Sequence, residues 1–268
     1  MATATPPKRA SFPARLPASG SAAAAPPGMP GMPGSARPGA AATPRLAAAL
    51  PQPSGAGMDS QAVRNAMVER LRAMGGMDPA VLNAMLQVPR HLFLEPGLAA
   101  QAYLDNALPI GHGQTISKPS VVARAASVLL QALGERPARL LEIGTGCGYQ
   151  AAVLAGVAGE VYSIERIRAL HELARRNLRA LRLPNLRLLL GDGMLGAPAG
   201  APYDAVISAA AGEQAPPAWL EQLRPGGILL APLGQPQRLT AMRKLGGGRV
   251  ESWSVEDARF VPLKSGVL

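Results

Sequence analysis

A glycine-rich segment between a predicted strand and a predicted helix carries the residues best suited to bind a small ligand. Residues 140–148 form an apolar run that leads into glycine at every second position, Leu-Leu-Glu-Ile-Gly-Thr-Gly-Cys-Gly. At such a turn, glycine leaves backbone N–H groups open to a ligand. Gly144, Gly146 and Gly148 therefore predict a loop that holds a ligand through its main chain. A tight turn without a ligand is the alternative for this motif taken alone.

Two further acids follow predicted strands. Glu165 comes directly after the predicted strand 160–164, and Asp192 comes shortly after the predicted strand 186–190. Ligands of open α/β sheets bind at the carboxyl ends of the strands, where Glu165 can accept hydrogen bonds from a ribose. Asp192 can accept one from an adenine amino group, while Gly193 allows close approach; an Asp that bonds to its own turn is the alternative. Three converging strand ends predict a nucleoside site.

The spacing and charge of the glycine loop distinguish between nucleoside cofactors. A dinucleotide motif, G-x-G-x-x-G, would have its third glycine at the position of Tyr149. The sequence contains no G-x-x-x-x-G-K-[ST] segment that would cradle phosphates. Glu142 would repel a phosphate but can accept hydrogen bonds from an amino group. This polarity favours S-adenosylmethionine, whose methionyl ammonium and sulfonium groups are both cationic.

Strands and helices that alternate along the chain predict an α/β fold with a doubly wound, mostly parallel sheet. The predicted strands are 139–143, 160–164, 186–190, 203–208 and 227–231, and the main predicted helices are 59–75, 119–133, 149–157, 166–183 and 215–223. A short helix after Asp78 precedes a long irregular loop, 102–117, of a length that is uncommon without a function. The segments 238–244 and 249–255, followed by 259–263, predict an antiparallel C-terminal edge.

Composition divides the chain into a tail and one domain. Residues 1–58 contain 12 Pro, 7 Gly, 17 Ala and no acid, which predicts disorder. Residues 59–268 have the length of a single α/β domain. Half of the net charge of +10 lies on the tail, where a solvated segment is the simplest interpretation. The lack of a long apolar run and the single cysteine, Cys147, predict a cytoplasmic protein that does not enter a membrane.

The most specific motif is residues 107–117, Ala-Leu-Pro-Ile-Gly-His-Gly-Gln-Thr-Ile-Ser. Supporting segments are 88–90, 141–150, 163–166, 191–193 and 259–263. In these segments the chain resembles the protein-L-isoaspartate O-methyltransferase family, over about residues 59–264. The resemblance implies a class I S-adenosylmethionine-dependent methyltransferase with a Rossmann-like fold. It also implies methyl esterification of the free carboxyl of L-isoaspartyl residues in damaged proteins, which starts repair through a succinimide and leaves S-adenosylhomocysteine.

The resemblance also assigns roles to residues. It implies that Ser117 is the active-site serine. The implied cofactor contacts are Glu142, Gly144, Thr145, Gly146, Gly148, Glu165, Asp192 and Gly193. The implied substrate slot is closed by Ile116, Val261, Pro262 and Leu263. Two departures are Cys147, at a position often held by a small hydroxyl residue, and the segment 209–212, which lacks a proline that relatives often carry.

Little catalytic machinery is needed for this reaction. An isoaspartyl carboxyl with a pKa of about 4 is already ionised at neutral pH, so no general base is required. The three histidines, His91, His112 and His171, have spacings that predict no metal site. Ser117 is then expected to orient the acceptor carboxylate as a hydrogen-bond donor. Its alternative role is a helix N-cap, since a predicted helix begins at Pro119.

Two other functions remain as alternatives. A nucleic-acid methyltransferase would suit the net charge of +10, but aromatic stacking residues are scarce and residues 208–211 lack the Asn/Asp-Pro-Pro-aromatic motif. A non-catalytic binder of damaged peptides or cofactor is the other alternative, although the 107–117 motif is intact. We expect isoaspartyl peptides and unfolded proteins as partners, no specific nucleic acid, no membrane and a monomeric enzyme.

Overall fold

The computed structural model describes residues 61–268, and the predicted disordered tail, 1–58, lies outside them. The helices are α1 (Gln61–Met74), α2 (Pro79–Gln87), α3 (Pro119–Leu133), α4 (Tyr149–Val157), α5 (Arg168–Leu178) and α6 (Pro217–Glu221). The strands are β1 (Leu108–Gly111), β2 (Gln114–Ile116), β3 (Arg139–Ile143), β4 (Glu160–Glu165), β5 (Leu186–Leu190), β6 (Tyr203–Ser208), β7 (Leu223–Leu233), β8 (Arg238–Lys244) and β9 (Val250–Asp257).

Within the described residues, seven strands form one sheet in the order β5-β4-β3-β6-β7-β8-β9. The first five strands of this order run parallel, and β8 and β9 are antiparallel to their neighbours. In the register, Leu140 of β3 lies opposite Val161 of β4 on one side and Ala205 of β6 on the other. The predicted fold, a mostly parallel sheet with an antiparallel C-terminal edge, is confirmed.

Apolar side chains cover both faces of the sheet, as the continuous apolar run in β3 requires. Leu140 and Ala205 face a large buried cluster that includes Val153 of α4 and Leu129 of α3. Leu141 and Ile143 face a second cluster around Trp219 of α6. Because side chains alternate along a strand, this arrangement fixes which face each β3 residue occupies.

The structure differs from the predicted elements in several places. The predicted loop 102–117 contains the hairpin β1–β2, whose turn has left-handed backbone at Gly111, His112 and Gly113. The helix predicted for 166–183 is shorter and ends in a 3-10 turn at Arg179–Leu181. The helix predicted for 215–223 is only α6, because β7 begins at Leu223, ahead of the predicted strand 227–231.

The C-terminal run predicted for residues 259–263 is not an antiparallel strand. It makes one parallel bridge, between Pro262 and Ala211. Ala211 donates its N–H to Val261 O (2.8 Å), and Leu263 donates to Ala211 O (2.7 Å). These bonds fix the loop after β6, where the missing proline had put rigidity in doubt. Among the described helices, none is both long and apolar enough to cross a bilayer.

Candidate active site

A cavity of about 390 Å³ opens at the carboxyl ends of β3 and β4, within the size range of small-molecule sites. Ten of the thirteen predicted site residues line it. They are Ile116, Ser117, Gly144, Thr145, Gly146, Glu165, Gly193, Val261, Pro262 and Leu263. The structure thus brings the predicted cofactor loop and the predicted substrate slot to one cavity. Glu142, Gly148 and Asp192 are not among its lining residues.

Glu165 fastens the glycine loop to the end of β4. Its Oε2 accepts a hydrogen bond from Gly146 N at 2.8 Å, and its Oε1 accepts one from Ile167 N at 2.9 Å. Gly144 and Gly146 both have left-handed backbone, with φ of 92° and 56°. An L side chain rarely adopts that conformation, so glycine is required for the loop to curve around the cavity. Each carboxylate oxygen retains a lone pair that can accept a hydrogen bond from a hydroxyl of a ligand.

Glu142 lies behind the loop. Its side chain is fully buried, and Ser163 donates a hydrogen bond to its Oε2. Ser163 Oγ is also 2.6 Å from Thr145 Oγ1, so the hydroxyl pair connects Glu142 to the cavity wall. Burial raises the pKa of Glu142 from 4.5 to about 8, and its Oε1 has no hydrogen-bond partner among the described residues. Glu142 does not line the cavity, but a cation bound in the cavity would favour the ionised form of its carboxyl.

Replacing Glu142 with Gln should change the pH dependence of stability in the ligand-free protein. Because the pKa is about 8 in the folded state and near 4.5 when unfolded, the folded state binds a proton that the unfolded state loses. The contribution of this carboxyl to the free energy of unfolding is therefore largest below pH 4.5 and falls as the pH rises to about 8, at about 1.4 kcal/mol per pKa unit. Glu142→Gln should remove this fall.

Urea denaturation at pH 5, 6.5 and 8 measures the effect, with both proteins in the same buffers. Equal slopes of unfolding free energy against pH for the wild type and the variant would contradict the raised pKa of Glu142. A decrease in wild-type stability that the Gln variant lacks would support it.

Gly148 and Asp192 serve the architecture around the cavity. A Cβ at Gly148 would lie 2.8 Å from Leu178 Cδ1, so glycine lets the start of α4 pack closely against α5. Asp192 Oδ1 accepts from Met194 N (2.9 Å), and its Oδ2 accepts from Gly266 N (2.7 Å). The geometry matches the alternative in which Asp192 bonds to its own turn. Its contact with adenine stays a prediction.

Ser117 lies half-buried at the end of the hairpin, next to the buried Ile116. Its hydroxyl makes no hydrogen bond to the rest of residues 61–268. The start of α3 is capped instead by Asp105, whose carboxylate accepts from Ser120 N (2.8 Å) and Ser120 Oγ (2.7 Å). The N-cap residue is Lys118. The Ser117 hydroxyl is therefore available to a molecule in the cavity.

Sequence reasoning missed several residues that line the cavity. Ile110 of the hairpin packs on the glycine loop, with its Cδ1 3.2 Å from where a Cβ of Gly146 would lie. Tyr149 also lines the cavity, and burial raises its pKa to about 12. Both residues fall inside motifs that the sequence had already marked, at 107–117 and 141–150. Membership in these two motifs was therefore the sequence signal that could have identified both residues.

The last residues also close part of the cavity, and no sequence pattern had pointed to them. Lys264 and Leu268 are lining residues. Leu268 N donates to Arg166 O, and Arg168 N donates to Leu268 O, both at 2.8 Å. The Arg166 side chain donates from Nε to Gly266 O at 3.0 Å. These bonds hold the segment across the carboxyl end of β4.

The site fits S-adenosylmethionine. A left-handed glycine loop, the Glu165 carboxylate, which can accept hydrogen bonds from ribose hydroxyls, and the buried Glu142 carboxyl, whose Oε1 has no hydrogen-bond partner within residues 61–268, form a surface that suits a cationic nucleoside. Together with the parallel sheet, this site defines a Rossmann-like, S-adenosylmethionine-dependent methyltransferase. Residues 62–268 match the family described as Protein-L-isoaspartate(D-aspartate) O-methyltransferase (PCMT). The chain belongs to this family.

Individual relatives agree with the family match. A protein-L-isoaspartate O-methyltransferase from Burkholderia vietnamiensis (strain G4 / LMG 22486) is 56% identical over 226 residues, which are 82% of this chain and 72% of the relative. One from Burkholderia mallei (strain SAVP1) is 58% identical over 214 residues, 79% of this chain and 66% of the relative.

Solved structures agree as well. One titled protein-L-isoaspartate O-methyltransferase superposes with a TM-score of 0.67 at 27% identity, over 76% of this chain and 67% of its own. A Plasmodium falciparum structure, titled as a putative member in complex with S-adenosyl-L-homocysteine, has a TM-score of 0.65 at 24% identity, over 75% of this chain and 98% of its own, and shares the fold. The predicted family, its methyltransferase activity and its methyl donor are confirmed.

Proposed function

We propose that this chain esterifies the free carboxyl of L-isoaspartyl residues in flexible peptides and unfolded proteins, with Ser117 orienting that carboxyl. One observation carries the proposal: a single cavity is lined both by the glycine loop with Glu165 and by Ser117 with residues 261–263. Donor and acceptor sites therefore share one space. A methyl group can pass between two ligands only if their reacting atoms lie close together, which this arrangement permits.

The cofactor side consists of residues that bind and orient. S-adenosylmethionine supplies a methyl group on a positively charged sulfur, which is a good leaving group. Gly144 and Gly146 present backbone groups to the cofactor, and the Glu165 carboxylate accepts hydrogen bonds from the ribose hydroxyls. Gly193 lies against Ile143, where there is no room for a side chain. Glu142, linked through Ser163 and Thr145, lies behind the loop as a carboxyl that burial keeps protonated in the ligand-free protein and that a bound cation favours in its ionised form.

The acceptor side needs position more than acid-base chemistry. A carboxyl with a pKa of about 4 arrives ionised at neutral pH and needs no base. The Ser117 hydroxyl donates to one carboxylate oxygen and leaves the other free to attack. Alignment of two bound reactants contributes about 7–11 kcal/mol to lowering the barrier. Positioning therefore accounts for the rate without a nucleophilic side chain.

The substrate slot suits a main chain with an extra kink. Ile116, Val261, Pro262 and Leu263 provide apolar walls, and the bonds between Ala211 and the 261–263 segment hold one wall in place. An apolar wall stabilises a peptide by contact area without fixing one side-chain sequence, as repair of many different proteins requires. S-adenosylhomocysteine is the second product of the transfer. The backbone nitrogen then displaces methanol from the methyl ester to form a succinimide, and water reopens the succinimide in part to normal aspartate.

We also propose a cellular compartment and an oligomeric state for the enzyme. The single cysteine, Cys147, is buried, and burial raises its pKa to about 11. A buried thiol of this kind resists modification and is compatible with a reducing compartment, so we place the enzyme in the cytoplasm. We further propose that it acts as a monomer and without a specific nucleic acid, since every assigned group lies within one chain.

A matched pair of peptides tests the function. Peptides of identical sequence with either an isoaspartyl or an aspartyl linkage are incubated with methyl-labelled S-adenosylmethionine. We expect base-labile label on the isoaspartyl peptide at least about 100-fold above the aspartyl peptide, on the scale of discrimination by positioning. Equal labelling of both peptides, or label that resists mild base, would contradict the proposal.

A further inference from the structure

Arg90 connects the acceptor side of the cavity to the cofactor side. It begins the 3-10 turn Arg90–Phe93 and is fully buried. Its Nη2 donates to the backbone oxygen of Ser117 at 2.6 Å, and its Nε donates to Ala102 O at 2.8 Å. The guanidinium carbon lies 4.7 Å from the ring centroid of Tyr149, the residue that follows the last glycine of the loop. One side chain therefore contacts both halves of the site.

The burial of Arg90 demands an explanation beyond packing. Its Nη1 has no hydrogen-bond partner among the described residues, and burial lowers the pKa of the guanidinium. A buried cation of this kind is costly, and replacement by apolar groups is often neutral or stabilising. The positive charge of Arg90 strengthens two contacts, the cation–π contact with Tyr149 and the hydrogen bond to Ser117 O. Both point to the site.

Only a planar, forked group satisfies these contacts together. Arginine donates in fixed directions from Nε and Nη2 while its flat face lies over an aromatic ring. Lysine has the same charge, but its ammonium cannot hold two carbonyls at the fork spacing and also cover the Tyr149 ring. Lysine is therefore not expected to replace arginine at this position.

We propose that Arg90 is a positioning residue that sets the Ser117 hydroxyl relative to the cofactor loop. Its hydrogen bond to the Ser117 carbonyl holds the Ser117 backbone. Its contact with the Tyr149 ring fixes the position of that backbone relative to the start of α4. This inference rests on the proposed role of Ser117 in carboxylate orientation. Arg90 is not a catalytic residue, because it does not line the cavity.

The test is a double-mutant cycle with Arg90→Lys and Ser117→Ala, assayed on the isoaspartyl peptide. Arg90→Lys alone should lower kcat about tenfold, since misplacement of an orienting group by a fraction of an ångström has effects of this order. KM for the peptide and Kd for S-adenosylhomocysteine should change less than about threefold. In the Ser117→Ala background, Arg90→Lys should lower kcat less than about twofold further.

Arg64→Lys is the matched control. Arg64 is also buried and donates to a backbone oxygen (Leu86 O, 3.1 Å), and its Nε has no hydrogen-bond partner within residues 61–268. It is not a lining residue of the cavity. It should lower the melting temperature while kcat stays within about twofold of the wild type. Arg90→Gln, which loses the charge, the fork and the length of the guanidinium, is the second variant and should lower kcat at least as much as Arg90→Lys while the Kd for S-adenosylhomocysteine stays within about threefold.

The outcomes are distinct. An equal loss of kcat from Arg90→Lys in both backgrounds, or loss of S-adenosylhomocysteine binding by both Arg90 variants, would make Arg90 structural and overturn the inference. An unchanged kcat in Arg90→Lys would overturn it too. Failure of the proposed function shows itself separately, as a wild type that does not label the isoaspartyl peptide or a Ser117→Ala variant with full turnover.

Discussion

Replacement of Ser117 by alanine is expected to lower turnover of an isoaspartyl peptide on the order of 10- to 100-fold, with little change in cofactor affinity. Ser117 lines the cavity, its hydroxyl makes no hydrogen bond to the other described residues, and Arg90 holds its backbone oxygen. Its removal frees the acceptor carboxylate to rotate, which reduces the fraction of bound substrate in the reactive orientation. Single-turnover rates measure the step, and calorimetry with S-adenosylhomocysteine measures the affinity.

Ser120→Ala provides the matched control for the helix start. Ser120 N and Oγ both donate to Asp105, so the loss of this hydroxyl should weaken the start of α3 by about 1 kcal/mol. Its turnover should remain near the wild-type value, because Ser120 does not line the cavity. A Ser117 variant that loses turnover and cofactor affinity together would instead assign Ser117 a structural role.

The parallel part of the fold could be predicted because its signals are local. The strands β3, β4 and β6 are short, mostly buried apolar runs, and β3 and β4 are each followed by turn residues and a helix. Pro119 and Gly134 bound α3 in the sequence and in the structure.

Elements that depend on distant contacts could not be predicted. The strands β1 and β2 have four and three residues, too few for a period to emerge, and their turn relies on left-handed backbone at His112. The strand β7 includes Pro225 and a register shift opposite Tyr203–Ala205, because its neighbour β6 dictates the pairing. Local turn residues there were overridden by the sheet.

The candidate site shows the same division. Glycine spacing and strand ends placed Gly144, Gly146 and Glu165 at the cavity, but side-chain alternation on β3 sends Glu142 to the face of Leu140, behind the loop. Asp192 bonds to Gly266, 74 positions away, and no pattern near residue 192 reveals that partner. Residues inside local motifs could be predicted, whereas the distant partner that holds Asp192 could not.

Replacement of Glu165 by glutamine is expected to weaken S-adenosylhomocysteine binding on the order of 100-fold, about 2.7 kcal/mol. The carboxylate is 5% exposed and accepts N–H groups from both Gly146 and Ile167. A side-chain amide has one acceptor oxygen, so its NH₂ group must face one of these donors, and a charge-assisted bond is replaced by a donor–donor contact. The loop and any bound ribose both lose an anchor. Calorimetric titration of the variant measures the loss.

Glu160→Gln is the control on the same strand. Glu160 lies at the other end of β4, is partly exposed and pairs with Arg139 and Arg187 at the surface, where ion pairs contribute little. Its replacement should leave the Kd for S-adenosylhomocysteine within about twofold of the wild type. If Glu165→Gln bound the ligand as tightly as Glu160→Gln, the carboxylate would not be holding the loop for the cofactor, and the backbone of Gly144 and Gly146 alone would account for binding. The donor–donor contact should also lower the melting temperature of ligand-free Glu165→Gln, because it leaves a buried N–H without an acceptor. The affinities are therefore compared well below that temperature, where both variants are folded.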